Sequence, residues 1–205
     1  MAKGGKESLR LQILKAARKL LVKDGVQNVS MRKIAAVIGY TATSIYYHFK
    51  NKDELIHALI DEGHEQLYQQ LEKAQEDLSE NTDPAFRIET NMRNFVKFGL
   101  ENPEYYEIMY MMHSVEFTSF PKESYRKTRK SGDLGTRLYE EAYEAGLVRV
   151  RDSRLTTASV ASMLHGYISM SLLHRLDARL EPAQVLDDVI DCILRGILLE
   201  KQAVA

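Results

Sequence analysis

The chain has 205 residues, 44% hydrophobic and 28% charged, enough for one large domain or two small ones with a proper core. Its longest apolar stretches, such as Ile193 to Leu199, fall far short of the ~20 residues a membrane span needs, and the basic start Met1 to Lys6 leads into Ser8, Arg10 and Gln12 rather than an apolar signal region. A lone Cys192 excludes an intrachain disulfide framework and suits a reducing compartment, so a soluble, cytoplasmic protein is expected.

The net charge of −1 conceals a division. Residues 1–55 carry eleven Lys/Arg against four Asp/Glu, a surplus of +7, whereas the rest carries seventeen against twenty-five, or −8. A basic end on an acidic body suits a polyanionic partner for the first part alone.

Helical periodicity runs through nearly the whole chain and predicts an all-α fold of about nine helices. In the first, Ile13, Leu14, Ala17, Leu20 and Leu21 recur at spacings of three and four among Lys15, Arg18 and Lys19, and Gly25 reads as a left-handed stop. Ser30 caps a short second helix that carries Ile34, Val37 and Ile38 inward and ends at Gly39. A third begins near Thr41 with Ile45 and Phe49 on one face. Asn51 caps a long fourth helix reaching about Leu78, with Glu54 placed to reach back as in a capping box. Ser79 to Pro84 is a loop that hands over to a fifth helix with proline at its first position, a device repeated at Asn102-Pro103, Phe120-Pro121 and Glu181-Pro182. Gly146 closes the helix holding Leu138, Ala142 and Ala145, and Leu147 to Val150 is too short for a strand.

Residues 30–49 hold the chemistry. Two short helices joined at Gly39 form a rigid unit when Ile34, Val37, Ile38, Ile45 and Phe49 pack together and against the first helix. With Ile45 and Phe49 inward, Thr41, Thr43, Ser44, Tyr47 and His48 fall on the other sides of the third helix. Short hydroxyl side chains let a backbone approach base edges in a major groove and can exchange hydrogen bonds with them. Turn and cap chemistry alone would also place them there. Tyr47, His48 and Lys52 are long enough for flanking phosphates, and Arg32 can join the N-terminus of the second helix on another. Tyr46, beside Ile45, is as readily a core aromatic as a surface one.

The run Ser30-Met31-Arg32-Lys33-Ile34-Ala35-Ala36-Val37-Ile38-Gly39, then Thr41-Ala42-Thr43-Ser44-Ile45-Tyr46-Tyr47-His48-Phe49-Lys50-Asn51-Lys52-Asp53-Glu54-Leu55, resembles the signature of the TetR family. The likeness covers roughly residues 8–60 in spacing as well as residue type. It implies a helix-turn-helix domain over 1–55, a ligand-binding and dimerisation domain over 56–205, and a linker helix from about residue 51. It also implies phosphate contacts from Tyr46, Tyr47, His48 and Lys52. Many members have Lys or Arg where this chain has Ala42, so one contact is expected to be missing.

The body after about residue 60 is where TetR-like proteins bind small molecules and dimerise. Phe95 to Met109, with its Asn102-Pro103 step, resembles one C-terminal subtype, as does Leu164-His165-Gly166 where that subtype often has Trp-His-Gly. Tyr105, Ile108, Met109 and Met112 lie along one side of the sixth helix, and Tyr106, Tyr110 and His113 along another. An apolar helix lined with aromatics and Met suits an adaptable pocket, or a plain core. Candidate ligand residues are Met92, Phe95, Tyr106, Met109, Tyr110, His113, Phe117, Met163 and Tyr167, favouring a lipophilic or aromatic effector. Ala158, Ala161, Ser162, Gly166 and Ser169 give the eighth helix a small-residue seam, and the ninth is apolar over a wide arc, with one side left for a second copy. Cys192 reads there as a small packing residue.

No Gly-x-Ser-x-Gly elbow, phosphate-cradling glycine loop or His-Glu-x-x-His pattern occurs, and the six histidines are scattered, so no catalytic or metal site is expected. The expected function is a sequence-specific DNA-binding transcriptional regulator, a homodimeric repressor released from a palindromic operator by a small effector, with no other cofactor. The alternatives are control by a protein partner, or action as an activator.

Overall fold

The structure, a computed structural model, describes residues 8–112, 122–149 and 152–199. Among them the helices are α1 (Leu9–Asp24), α2 (Met31–Ile38), α3 (Ala42–His48), α4 (Lys52–Glu76), α5 (Pro84–Glu101), α6 (Pro103–Tyr106), α7 (Lys122–Glu144), α8 (Ser153–Leu172) and α9 (Pro182–Ile197). A 3₁₀ turn, Val26–Asn28, follows α1, and a π turn, Glu107–Met111, continues α6. The expected all-α class holds. Proline stands at the start of α5, α6 and α9, where the missing N–H removes no intrahelical bond. The Phe120-Pro121 step lies outside the described residues.

The chain packs as two units. One comprises Met1–His64 with Asn102–Tyr125, the other Glu65–Glu101 with Arg126–Ala205. These differ from a division at residue 55, because α6 and its π turn rest against α1. Arg18 anchors that contact: its Nε donates to Glu104 Oε2 at 2.8 Å, and its guanidinium lies 4.2 Å from the centre of the Tyr105 ring. On α4, a Cβ at Gly63 would collide with Met109 Sδ and stand 3.1 Å from Tyr105 Cδ1, so only glycine permits this approach.

The core of the first unit is built from Ile13, Leu14, Ala17 and Leu21 of α1, Met31, Ile34 and Ala35 of α2, Ile45 and Phe49, and Leu55, Ile56 and Leu59 of α4, all buried. Val37 departs from its expected inward place. It is 59% exposed and Ile38 only half-buried, because Met31 and Ala35 flank Ile34 on the inner arc. Gly25 is also not a left-handed stop: its φ of 77° goes with ψ 157°, an extended mirror-image conformation that swings the chain into the 3₁₀ turn. Gly39 is the left-handed cap, φ 73° and ψ 29°, with the Tyr40 amide donating to Ala35 O at 2.9 Å.

The second unit buries Leu67 and Leu71 of α4, Ile88, Met92, Val96 and Phe98 of α5, Leu134, Leu138 and Tyr139 of α7, Val160, Leu164, Tyr167 and Ile168 of α8, and Ile190 and Ile193 of α9. Buried backbone needs partners, and glutamines supply some of them. Gln70 Nε2 donates to Asn94 O and Gln75 Nε2 to Arg87 O, each at 3.0 Å. Residues 147–149, too short for a strand, still make a two-bond clasp with the end of α9: Arg149 N to Ile197 O at 2.8 Å and Leu199 N to Leu147 O at 2.9 Å. Cys192 is exposed rather than packed, since Ile190 and Ile193 take the inward side of α9.

Gly25 and Gly39, two of the positive-φ glycines, differ in how strictly they exclude a side chain, although a Cβ at either meets open space. Gly39→Ala is expected to cost about 1–2 kcal/mol, the penalty of a left-handed L-residue. Gly25 occupies a region essentially reserved for glycine. Urea denaturation should therefore show a larger fall in midpoint for Gly25→Ala than for Gly39→Ala.

Candidate nucleic-acid interface

The α2–turn–α3 segment is held by short caps. Ser30 Oγ accepts from the Lys33 amide at 3.2 Å. Thr41 Oγ1 accepts from the Ser44 amide at 3.3 Å and shares a 2.9 Å hydrogen bond with Ser44 Oγ. Ile45 and Phe49, one turn apart, are buried, and the Arg10 guanidinium lies 5.1 Å from the Phe49 ring centre. At 100° per residue, burying Ile45 puts Thr43 and Tyr47 on the opposite ridge of α3, with Tyr46 beside them. Tyr47 is 88% exposed and Tyr46 51%, and Thr43 is exposed.

The expected contact residues thus separate into two kinds. Thr43, Tyr46, Tyr47 and Arg32 face solvent around the outer side of the helix pair. The hydroxyls of Thr41 and Ser44 are occupied with each other and with the helix start. His48 is half-buried, its ring T-shaped against Tyr47 at 5.5 Å.

Lys52 has a place in the fold beside the phosphate contact expected of it: its Nζ donates to Val26 O at 2.9 Å and braces the turn after α1. Lys33 is similarly tied, to Asp24 at 2.9 Å and to Asn28 O at 3.2 Å. The α4 start takes the capping-box form with one shift: Asn51 Oδ1 accepts from the Glu54 amide at 2.8 Å, while Glu54 reaches the Lys50 amide at 2.7 Å rather than that of Asn51.

Three residues were not among the contact residues expected from the sequence. Lys50 is exposed just past α3 and makes no ion pair among the described residues. Val37 and Tyr40 (45% exposed) put large apolar surface beside the turn. A basic residue next to the Phe49 anchor was a legible signal for Lys50. The outward turn of Tyr40 depends on the cap geometry at Gly39 and had none.

The candidate effector residues fall in different units. Tyr106, Met109 and Tyr110 belong to the first, where the Tyr106 and Tyr110 rings lie 5.1 Å apart and His64 of α4 stands T-shaped to Tyr110 at 5.6 Å. Burial first of all holds both phenols above their ordinary range, with Tyr106 adding to the effect on Tyr110. His64 is buried with Nδ1 unbonded, and desolvation brings its pKa down to about 4 against the opposing pull of Asp61. Met92, Phe95, Met163 and Tyr167 belong to the second unit. There Phe95 stands T-shaped to His165 at 5.2 Å, burial lowers the His165 pKa, and the Tyr167 hydroxyl donates to Pro182 O at 2.9 Å. Met92 is buried in the core and Met163 is exposed. His113 and Phe117 lie outside the described residues. No cluster of three or more His, Cys, Asp or Glu suited to a metal occurs among the described residues, and none of their helices is long and apolar enough to cross a membrane.

Comparison with known proteins agrees with this geometry. Residues 13–59 match the bacterial regulatory proteins of the tetR family, and residues 88–193 match the tetracyclin repressor-like C-terminal domain. The HTH-type transcriptional regulator TtgR of Pseudomonas putida is 40% identical over 78 residues, which is 38% of this chain and 36% of that protein. The probable regulator ArpR of Pseudomonas putida is 42% identical over 59 residues, 29% of this chain and 28% of its own. The chain therefore matches only about a third of the length of these curated relatives. Similar solved structures extend over nearly everything. A Rhodococcus sp. RHA1 protein of unknown function superposes with TM-score 0.80 at 24% identity, covering 97% of this chain and 100% of that one. The fatty acid degradation regulator FadR of Bacillus halodurans gives 0.75 at 18%, covering 92% and 96%. At these identities the likeness is one of fold.

Two measurements check the site. Lys50→Ala should lower the salt slope of duplex binding by about one and leave the urea midpoint unchanged. Lys52→Ala should lower the midpoint as well, by about 1 kcal/mol of stability, because Val26 O loses the shorter of its two hydrogen bonds and keeps only the Val29 amide at 3.4 Å. His64 gives a pH test. Its folded pKa lies below the unfolded 6.5, so its contribution is complete above pH 6.5 and drains away as pH falls toward 4, where the unfolded chain holds a proton the native one does not. The loss amounts to about 3 kcal/mol. His64→Leu should flatten that part of a stability–pH profile.

Proposed function

Because the chain belongs to the TetR family of bacterial regulatory proteins, we propose that it is a DNA-binding repressor of transcription, held as a homodimer on a palindromic operator and released by a small lipophilic or aromatic effector. The observation that carries this reading is the ridge of α3. Thr43 and Tyr47 stand outward opposite the buried Ile45, with Arg32 and Lys50 exposed as cations for phosphates.

Dimerisation is supported by α8. Leu155 (66% exposed), Ser159, Met163, Gly166, Met170 and Leu173 run along an uncovered face at helical spacing, large apolar residues alternating with small ones. A Cβ at Gly166 would meet nothing within 4 Å, so the smallness of this residue serves no contact inside the chain and suits close approach by a second copy. The exposed side of α9 is polar, with Asp188, Asp191 and Arg195, so the apolar part of the interface falls on α8 rather than being shared equally.

Regulation is supported by where the effector-side residues sit. Tyr106, Met109 and Tyr110 lie on the segment that packs against Arg18 of α1 and Gly63 of α4. A ligand that shifts this segment biases α1, and a bias of about 1–3 kcal/mol loosens DNA five- to 150-fold.

Selection of bound duplexes from a random pool should return a palindrome with half-sites about 34 Å apart. Uncharged aromatic compounds that raise the thermal midpoint should weaken operator binding in a gel shift. A saturating ligand that leaves affinity unchanged rejects the coupling, and a panel with no thermal shift favours a protein partner instead. Met163→Glu or Met170→Glu should give a monomer by light scattering and lose operator affinity without losing helix content.

A further inference from the structure

We propose that α3 reads its operator chiefly through the 5-methyl groups of thymine, using the methyl of Thr43 and the ring of Tyr46. This rests on the operator-binding reading above and adds the base chemistry that the operator must present.

In the major groove, guanine is read by the forked donors of Arg or Lys, adenine by Asn or Gln, and cytosine by Asp or Glu, whereas thymine offers a methyl to apolar groups. From Gly39 to Phe49 the chain contains none of Arg, Lys, Asn, Gln, Asp or Glu. The turn and recognition helix therefore lack every side chain of the bidentate kind. Of the hydroxyls, Thr41 and Ser44 are taken up by the cap. Thr43 keeps its hydroxyl and presents a methyl on the outward ridge. A short apolar group can press on a thymine methyl while that hydroxyl reaches the adjacent O4 acceptor.

The exposure pattern points the same way. Tyr46 is 51% exposed on α3, and Val37 and Tyr40 leave further apolar surface beside the turn. This surface lies in a segment carrying a charge surplus of +7, where docking on a polyanion would leave it unmatched against phosphates. The thymine methyl is the one apolar group that base pairs project into the major groove, so it is the complement such a surface requires. Arg32 stands on α2, and Lys50 beyond the end of α3, positions suited to the backbone on either side.

The test uses the full-length protein and the duplex recovered by random-pool selection, with thymines replaced singly by uracil, which removes the methyl and keeps the pairing. Each methyl buried in the contact should be worth about four-fold in affinity, with no effect of the same replacement in a non-specific duplex. Thr43→Ser keeps the hydroxyl, removes the methyl and touches no core residue. It should bring the thymine-to-uracil ratio at one position close to one while the uracil duplex is still bound. The proposal is overturned if uracil is tolerated at every position, if Thr43→Ser and Tyr46→Ala both retain the full ratio, or if the selected half-site is fixed by guanine·cytosine pairs alone. Absence of any salt-sensitive preference among duplexes removes the operator-binding reading, and this inference with it. A preserved preference with indifference to uracil removes only the inference.

Discussion

Everything the interface does depends on the burial of Ile45 and Phe49. Two apolar side chains four residues apart set the rotation of a helix about its own axis, and on a helix of seven residues nothing else in the sequence is strong enough to do so. Each buried side chain of this size is worth roughly 1.5–3 kcal/mol against exposure, more than a surface hydroxyl or an exposed ion pair supplies. The outward ridge is thus a consequence of core packing. Thr43 and Tyr47 face the solvent because Ile45 does not.

The same economy governs the polar groups near the site. Caps take Ser30, Thr41, Ser44, Asn51 and Glu54, and the turn after α1 takes Lys52 and Lys33. An amide at a helix start needs a partner before a ligand arrives, so residues rich in hydrogen-bonding chemistry are absorbed by the fold first. What stays available for a duplex is narrower than the list of polar residues suggests, and more apolar.

For the effector control proposed above, the attachment of α6 and its π turn to α1 is the physical route. Arg18 combines a charge-assisted hydrogen bond with a cation–π stack, and the missing side chain at Gly63 lets Met109 and Tyr105 come close. Next to this contact His64 and two tyrosines are held in their neutral forms by desolvation. Such surroundings penalise charge, which is why the proposed effector is an uncharged one.

How much of this was written in the sequence varies from element to element. The helices, their proline starts and the Gly39 stop follow from local rules, so periodicity and capping residues located them. The inward direction of Ile45 and Phe49 was equally legible. Val37 was misplaced because six of the eight residues of α2 are apolar and admit more than one inner face, and only the surroundings of Met31 and Ala35 decide between them. The bond from Lys52 to the Val26 carbonyl was not legible because its partner lies 26 residues away in sequence. The grouping of Asn102–Met111 with α1 is decided by an 86-residue contact from Arg18 to Glu104. The sequence by itself determined the helical class, the order of the elements and the outward edge of α3, since these depend on residues a turn or two apart. Tertiary structure alone decided which polar groups are already occupied and which apolar ones remain uncovered, because those outcomes are settled by partners far away along the chain.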